Sequence, residues 1–211
     1  MNPFPRGLYA LTPDLDDAGL LAARVAAALR GGATAVQYRN KAAPAAVRRR
    51  QAEALVGLCR AAAVPLIVND DVELACAVGA DGAHLGAGDG DLAAARARLG
   101  PGRILGASCY NRLDLAQAAV AAGADYVAFG AAFASATKPG AVRAPLELYR
   151  TARRALAARI VAIGGITVAN APALVTAGVD ALAVITALFD ADDVARRARE
   201  FQSLFSRIES P

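Results

Sequence analysis

The 211-residue sequence has no tryptophan, one methionine, one histidine and only two lysines, Lys41 and Lys138. Lys and Arg together number 23, so arginine supplies 21 of them. A chain that accepts arginine almost everywhere keeps lysine where a compact ammonium with three rotatable donors serves best, beside phosphate oxygens or a reacting atom. The single histidine, His84, excludes a multi-histidine metal site. Its apolar surroundings read as those of a satisfied wall histidine rather than a general base. Cys59, Cys76 and Cys109 are odd in number, far apart and without CxxC spacing. They exclude a disulfide framework and a cysteine zinc site, and read as small buried hydrophobes. Aromatics at 5% without tryptophan leave no platform for stacking bases, so the net charge of +4 is not read as a nucleic-acid signal. The arginines at 48–50, 96, 98, 153–154 and 196–197 fall in helical stretches and are expected on solvated outer faces. No apolar run approaches the roughly 20 residues that span a bilayer, and residues 1–6 lack the apolar core of a secretory signal. The expectation is a cytoplasmic protein with no membrane or nucleic-acid partner.

What is present is an alternation. Hydrophobic residues make up 56% of the chain, enough for a sizeable core, and short apolar runs recur at 7–12, 35–39, 66–70, 82–86, 104–108, 126–130, 160–165 and 181–186. Amphipathic alanine-rich stretches lie between them, for example 20–29, 45–61, 113–121 and 191–205. Runs such as Leu66-Ile67-Val68 imply burial on both faces, hence parallel strands. Eight strand–helix units predict one α/β domain over residues 1–211, a (β/α)₈ TIM barrel, with an open doubly wound sheet as the alternative. Gly79-Ala80-Asp81, Gly123-Ala124-Asp125 and Gly178-Val179-Asp180, with Gly32-Ala33-Thr34 as a variant, each read as a helix stop and a turn back into the sheet.

Gly86-Ala87-Gly88-Asp89-Gly90-Asp91 begins like a dinucleotide fingerprint, but Asp91 stands at the third glycine position and Asp89 would repel a pyrophosphate. A nicotinamide site is excluded. In a barrel the chemistry gathers at the C-terminal strand ends, and there this sequence is polar. The second run ends in Gln37-Tyr38-Arg39-Asn40-Lys41 and the third in Asn69-Asp70-Asp71. The fourth leads to Asp89 and the fifth ends at Ser108. The sixth leads to Ser135-Ala136-Thr137-Lys138, the seventh ends in Gly164-Gly165, and the eighth in Ile185-Thr186. Asn40 and Asp71 on their own read as cap or turn residues. Alternation puts Gln37, Arg39 and Lys41 on one side of an extended segment, an amide, a guanidinium and an ammonium suited to a phosphorylated ring compound. Asp70 and Asp89 follow adjacent strands and suit one magnesium ion, which binds one or two protein carboxylates plus substrate phosphates. Gly164-Gly165-Ile166 is expected to open the next helix and offer bare N–H groups to a second phosphate. No nucleophile–histidine pair is evident.

From Gly7-Leu8-Tyr9 to the run ending near Leu188, the chain resembles the thiamine-phosphate synthase family, which joins an aminopyrimidine methyl diphosphate to a thiazole phosphate. The resemblance implies that Gln37, Tyr38, Arg39, Asn40, Lys41, Asn69, Ser108 and Lys138 bind the pyrimidine diphosphate. Arg39, Lys41 and Lys138, with the magnesium ion, would carry its charge during catalysis, and Ser108 would be a further catalytic contact. It assigns Ser135, Ala136, Thr137, Gly165, Ile185 and Thr186 to the thiazole phosphate, and Asp70 and Asp89 to one Mg²⁺. The implied partners are small phosphorylated substrates, and a homo-oligomer is compatible with the sequence. The chain departs from the family at Ala87 and Gly88, where a glutamine usually follows His-Leu-Gly, at Ser135 in place of threonine and at Thr186 in place of serine. Competing readings are the thiazole tautomerase branch, whose catalytic histidine aligns with Tyr110, and a non-catalytic barrel that binds thiamine precursors. Sugar-phosphate epimerases and indole-glycerol-phosphate enzymes share the glycine phosphate site, but their acid/base residues have no counterpart here.

Overall fold

The eight apolar runs become eight parallel strands joined edge to edge in chain order as a closed barrel, β1 hydrogen-bonded to both β2 and β8. The computed structural model describes residues 4–134 and 142–206. The units are β1 (Gly7–Leu11), α1 (Ala18–Arg30), β2 (Ala35–Tyr38), α2 (Ala45–Ala61), β3 (Leu66–Asn69), α3 (Val72–Val78), β4 (Gly82–Leu85) and α4 (Leu92–Leu99). They continue as β5 (Ile104–Tyr110), α5 (Leu113–Ala121), β6 (Tyr126–Phe129), α6 (Leu146–Ala155), β7 (Arg159–Ile163), α7 (Ala171–Thr176), β8 (Ala181–Val184), α8 (Thr186–Phe189) and α9 (Val194–Ser206). Most strands stop a residue or two before their apolar run does. β5 instead runs on to Tyr110, with a register shift against β6 between Ser108 and Tyr110. Aspartates start four of the helices, one of them Asp193, which accepts from the Arg196 amide at the start of α9. Asp17 accepts from the Leu20 amide, Asp71 from Leu74 and Asp91 from Ala94, each satisfying an amide that the first turn leaves orphaned.

Side chains that alternate along the strands build two cores. The outer one lies between strands and helices and contains Leu8, Val36, Val68, Leu105, Val127, Ile160 and Leu182. The inner one fills the barrel with Tyr9, Leu11, Ile67, Ile104, Tyr126, Val161 and Ala183, and Phe4 plugs it from the N-terminal end. The Phe4 ring stacks on Tyr126 at 4.1 Å and meets Tyr9 edge-on at 5.1 Å. Gly106 pairs with Tyr126 across β5 and β6, and a Cβ there would collide with the hydroxyl end of the Tyr126 ring. Glycine at this position is what admits a tyrosine to the barrel centre.

The N-terminal end is closed by a repeated device. The aspartate before each of β4, β6 and β8 accepts a hydrogen bond from an amide at the start of the preceding odd strand. Asp81 takes Leu66 N at 2.9 Å, Asp125 takes Leu105 N at 2.8 Å and Asp180 takes Ile160 N at 2.8 Å. For β1 the duty is shared. Thr34 Oγ1 donates to the Leu8 carbonyl, and the Leu8 amide donates to Gln202 Oε1 of α9.

Two of the arginines expected on solvated faces belong to this device. Arg96 reaches Asp125 at 2.6 Å and also the Gly123, Gly100 and Arg103 carbonyls. Arg153 and Arg159 grip the buried Asp180 at 2.8 and 2.9 Å. A guanidinium offers five donors, so one arginine can neutralise a carboxylate and satisfy several carbonyls together.

Candidate active site

The C-terminal rim is assembled first by Thr12 and Asp14, two residues that the sequence does not single out. Thr12 Oγ1 donates to the Arg39 carbonyl and accepts from the Arg39 amide, both at 2.8 Å. Asp14 takes the Arg39 guanidinium at 3.0 and 3.1 Å and the Lys41 amide at 3.0 Å. The Gln37–Lys41 segment is thereby held extended beyond β2. Lys41 Nζ then meets Asp70 Oδ2 at 2.8 Å, with 57% of the lysine side chain and 27% of the aspartate side chain still exposed. Asp70 follows β3 in the left-handed region, φ +63°, which is sparsely populated for a residue with a Cβ. The backbone here is bent to deliver this carboxylate.

Tyr38 and Asn40, expected at the diphosphate, line one small cavity with Lys41, Asn69 and Asp70, but their polar ends bond within the fold. The Tyr38 hydroxyl donates to Gln51 Oε1 at 2.9 Å within the outer core. Asn40 Nδ2 bonds Gln51 and the Leu15 carbonyl, and Asn40 Oδ1 takes the Ala43 amide. Both lock α2 to β2, because inward and outward positions alternate and only Gln37, Arg39 and Lys41 share the site face. Arg48 of α2 departs from its expected solvated face. With Lys41, Asn69 and Asp70 it lines the same cavity, of about 30 Å³, lies 3.6 Å from Asp71, and keeps a buried Nε without a partner.

Asp89 is exposed and its Oδ2 accepts from the Gly86 amide at 2.8 Å, while Asp91 caps α4. These two roles account for the glycine-and-aspartate run. Asp70 and Asp89 are oxygen donors beyond neighbouring strands, and Asp70 already holds one cation, the Lys41 ammonium. Among the described residues no group of three or more His, Cys, Asp or Glu could hold a metal. By their chemistry alone, two carboxylates are the protein ligands that a hard divalent ion takes when substrate phosphates and water complete its shell.

Ser108 is brought in on β5, and its Oγ lies 2.8 Å from His84 Nε2. The two residues lie 24 positions apart on neighbouring strands, so no local pattern in the sequence joins them. His84 is buried with both ring nitrogens engaged, Nδ1 with the Tyr126 hydroxyl at 2.9 Å, which makes it a satisfied wall histidine. Burial pushes its imidazole down to about 4. A base that weak, lacking a carboxylate behind it, does not activate a serine at neutral pH.

At the opposite side of the rim, Gly164 (φ +99°) and Gly165 (φ +64°) turn under the loop that follows β6. A Cβ on Gly165 would lie 2.5 Å from the Ala134 carbonyl oxygen. The expected helix start at Gly165-Ile166 is not found. Thr167 and Asn170 bond each other's amides, Asn170 also bonds the Gly165 carbonyl, and α7 begins only at Ala171. The next strand also differs. Thr186 is the first residue of the four-residue helix α8, with Ile185 as its cap, rather than the end of a strand. Gly165 and Ile185–Thr186 thus follow neighbouring strands β7 and β8, where barrels commonly bind phosphate. Ser135, Ala136, Thr137 and Lys138 lie outside the described residues. Ala131, just before them, donates its amide to Val142 and accepts from Ala144, both at 2.9 Å.

A family model for thiamine monophosphate synthase matches residues 8–188. The thiamine-phosphate synthase of Chromobacterium violaceum is 60% identical over 97% of this chain and 99% of its own, and that of Aromatoleum aromaticum 56% over 95% and 96%. Among solved structures, the thiamine phosphate pyrophosphorylase of Pyrococcus furiosus superposes with a TM-score of 0.85 at 35% identity, covering 97% of each chain. An orotidine 5'-phosphate decarboxylase at 13% identity and TM-score 0.71 shares the fold alone. Likeness of this extent makes the protein a transferase of thiamine biosynthesis that acts on small phosphorylated substrates. With strand order, family model and relatives in agreement, the chain belongs to the thiamine-phosphate synthase family.

Proposed function

We propose that the barrel, one domain over residues 1–211, forms thiamine phosphate by a dissociative substitution at the pyrimidine methylene, using Mg²⁺ and the rim residues described above. The bond from that carbon to the diphosphate oxygen breaks, its electron pair leaving with pyrophosphate. The thiazole nitrogen lone pair then forms the new carbon–nitrogen bond. The electron-rich aminopyrimidine stabilises the intermediate cation, so no protein nucleophile is needed. The protein's work is to position two substrates and to meet negative charge as it develops on the leaving group.

The observation that carries this reading is the Lys41–Asp70 contact at 2.8 Å beside Arg39, cationic donors for a diphosphate next to a carboxylate for its counter-ion. Arg39, preset by Asp14, and Lys41 would bind diphosphate oxygens, with Asn69, Ser108 and Lys138 completing that subsite. Asp70 and Asp89 would hold Mg²⁺, which supplies charge neutralisation to the leaving group when bound. Gly165 and Ile185–Thr186, with Ser135 to Thr137, would receive the thiazole phosphate. No helix among the described residues is long and apolar enough to cross a membrane, and the phosphorylated substrates favour a cytoplasmic enzyme. Pyrophosphate release, assayed with each substrate and then magnesium omitted in turn, tests the reading. Release should need all three. Metal-independent isomerisation of a thiazole carboxylate phosphate, without thiamine phosphate formation, would instead assign the tautomerase reaction.

A further inference from the structure

The polar side chains inside the barrel form a single file. Gln37 Nε2 donates to the Tyr9 hydroxyl at 2.8 Å, and the Tyr9 and Tyr126 hydroxyls are 2.8 Å apart. Tyr126 lies 2.9 Å from His84 Nδ1, and His84 Nε2 lies 2.8 Å from Ser108 Oγ. Both ends of the file are at the catalytic rim, and its middle is one layer deeper. Tyr9 sits two residues below the level of Gln37 across the β1–β2 pairing, and Tyr126 two below that of Ser108 across β5–β6. Tyr9 and Tyr126 are fully buried, and the His84 ring stacks on Tyr126 with centroids 5.4 Å apart.

The direction of this file follows from proton counting. An amide nitrogen donates and cannot accept, and each phenol has one proton to give. The Tyr9 oxygen receives Gln37, and among the described residues the Tyr126 oxygen is the one acceptor beside the Tyr9 hydroxyl, so the Tyr9 proton goes there. Tyr126 must then pass its proton to His84 Nδ1. That nitrogen is bare, so the imidazole carries its proton on Nε2 and gives it to Ser108 Oγ. The Ser108 proton is left over for whatever occupies the site. The opposite direction needs Gln37 to turn its carbonyl oxygen toward Tyr9. Ser108 would then surrender its proton to His84, the arrangement of an activated nucleophile.

We infer that the file runs one way, from Gln37 to Ser108, with His84 as the neutral Nε2–H tautomer, so that Ser108 Oγ faces the substrate as a fixed hydrogen-bond donor and not as a nucleophile. Tyr9, Tyr126 and His84 are positioning residues that act through Ser108. Their role rests on the proposed substitution, in which a donor preset for the departing diphosphate is useful and a serine nucleophile is not. Burial raises both phenols and lowers the imidazole, so all three are uncharged at neutral pH and the direction is not scrambled by ionisation.

The chain has one histidine, so a long-range ¹H–¹⁵N correlation spectrum of untagged, ¹⁵N-labelled protein reads this ring alone. At neutral pH we expect a protonated Nε2 and a bare Nδ1. A protonated Nδ1, a mixture of the two tautomers, or an imidazolium would overturn the inference. Tyr126→Phe removes the proton that pins Nδ1. It should shift the ring toward a tautomer mixture and lower kcat for pyrophosphate release about tenfold, the worth of one well-placed donor, while KM for the pyrimidine diphosphate changes by about twofold at most. Combined with Ser108→Ala it should cost no more than Ser108→Ala alone. Undiminished kcat despite a shifted tautomer, or fully additive losses, would sink the positioning role. The wild-type spectrum decides the direction even if Tyr126→Phe fails to fold. Wild-type protein with the Nε2–H tautomer but no pyrophosphate release would leave the file standing and defeat the proposed function. Release with a protonated Nδ1 would do the reverse.

Discussion

Aspartate is used at both ends of this barrel, and the carboxylates that frame the lower end differ from Asp70 and Asp89 at the rim in what occupies their oxygens. At the N-terminal end Asp125 and Asp180 each bind a strand amide and one or two arginines, and Asp180 is buried. At the C-terminal rim Asp70 is held by a lysine that is itself half exposed, and Asp89 by an amide of its own loop. Among the described non-glycine residues with left-handed backbone, two, Asp70 and Tyr110, are at the rim. A carboxylate whose acceptor sites are filled by fixed donors is part of the frame. One with an unfilled oxygen and a half-exposed counter-ion is available to a ligand, and the rim gives up stability to keep it so.

The sharpest way to break this contrast is Asp180→Ala. It strands the Arg153 and Arg159 guanidinium groups and the Ile160 amide, and should cost about 3–5 kcal/mol of unfolding free energy, read from denaturant midpoints. A loss near zero would show that the lower carboxylates are no more structural than the upper ones. His84, between the two ends, should tie stability to pH. Its folded value is about 4 against 6.5 for the free side chain. Between those values the unfolded chain binds more protons, so stability falls as pH drops from about 6.5 to 4, by on the order of 3 kcal/mol, and this group contributes no slope above 6.5. His84→Gln should flatten that slope relative to wild type. Coincident pH profiles would contradict the burial of the ring.

Asp89→Asn probes the rim from the other direction. The unfolding midpoint should stay put, because the amide oxygen can still accept from Gly86, while kcat/KM falls at least about a hundredfold, or about 2.7 kcal/mol. Excess magnesium or manganese should restore part of it. Wild-type turnover at limiting magnesium would remove Asp89 from the metal site. The smallest effect is expected for Lys138→Arg. Charge is kept but the point donor is replaced by a planar fork, and the cost should be about tenfold in kcat/KM, about 1.4 kcal/mol. Unchanged kinetics for both substrates would return this lysine to the surface.

The barrel was legible because a strand buried on both faces must be apolar, and eight such runs alternate with helical stretches whose spans at α2 and α5 match the structure. The last helix begins at Val194 and not at 191, with Asp193 accepting from the Arg196 amide at its start. Placement at the rim was legible where polar residues end an apolar run or follow it closely, as at Arg39, Lys41, Asp70 and Asp89, but not that Tyr38 and Asn40 turn their polar ends into the fold. Tyr9 and Tyr126 were not, since tyrosine inside an apolar run reads as core and only the fold brings two hydroxyls and a histidine together. Gly106, a glycine within a strand, is the sequence signal that a large side chain crosses there. Asp14 and Thr12 act across 25–27 residues of chain, a separation that no local pattern reveals. Arg96 and Arg153 looked solvated because a helical arginine has one sequence signature whether it reaches water or a neighbouring aspartate.

The link between the Leu8 amide and Gln202 at 3.0 Å has a consequence for synthesis. Strand β1 is completed by helix α9, at a separation of 194 positions along the chain. A growing chain can pair β1 with β2 early, but β8 and α9 must leave the ribosome before β1 gains its second edge and its cap. Such distant contacts slow closure and leave a strand edge unpaired in the meantime. The exposure of that edge is therefore set by translation speed, and ribosome-bound chains stalled before residue 202 should expose β1 to proteases that the released protein resists.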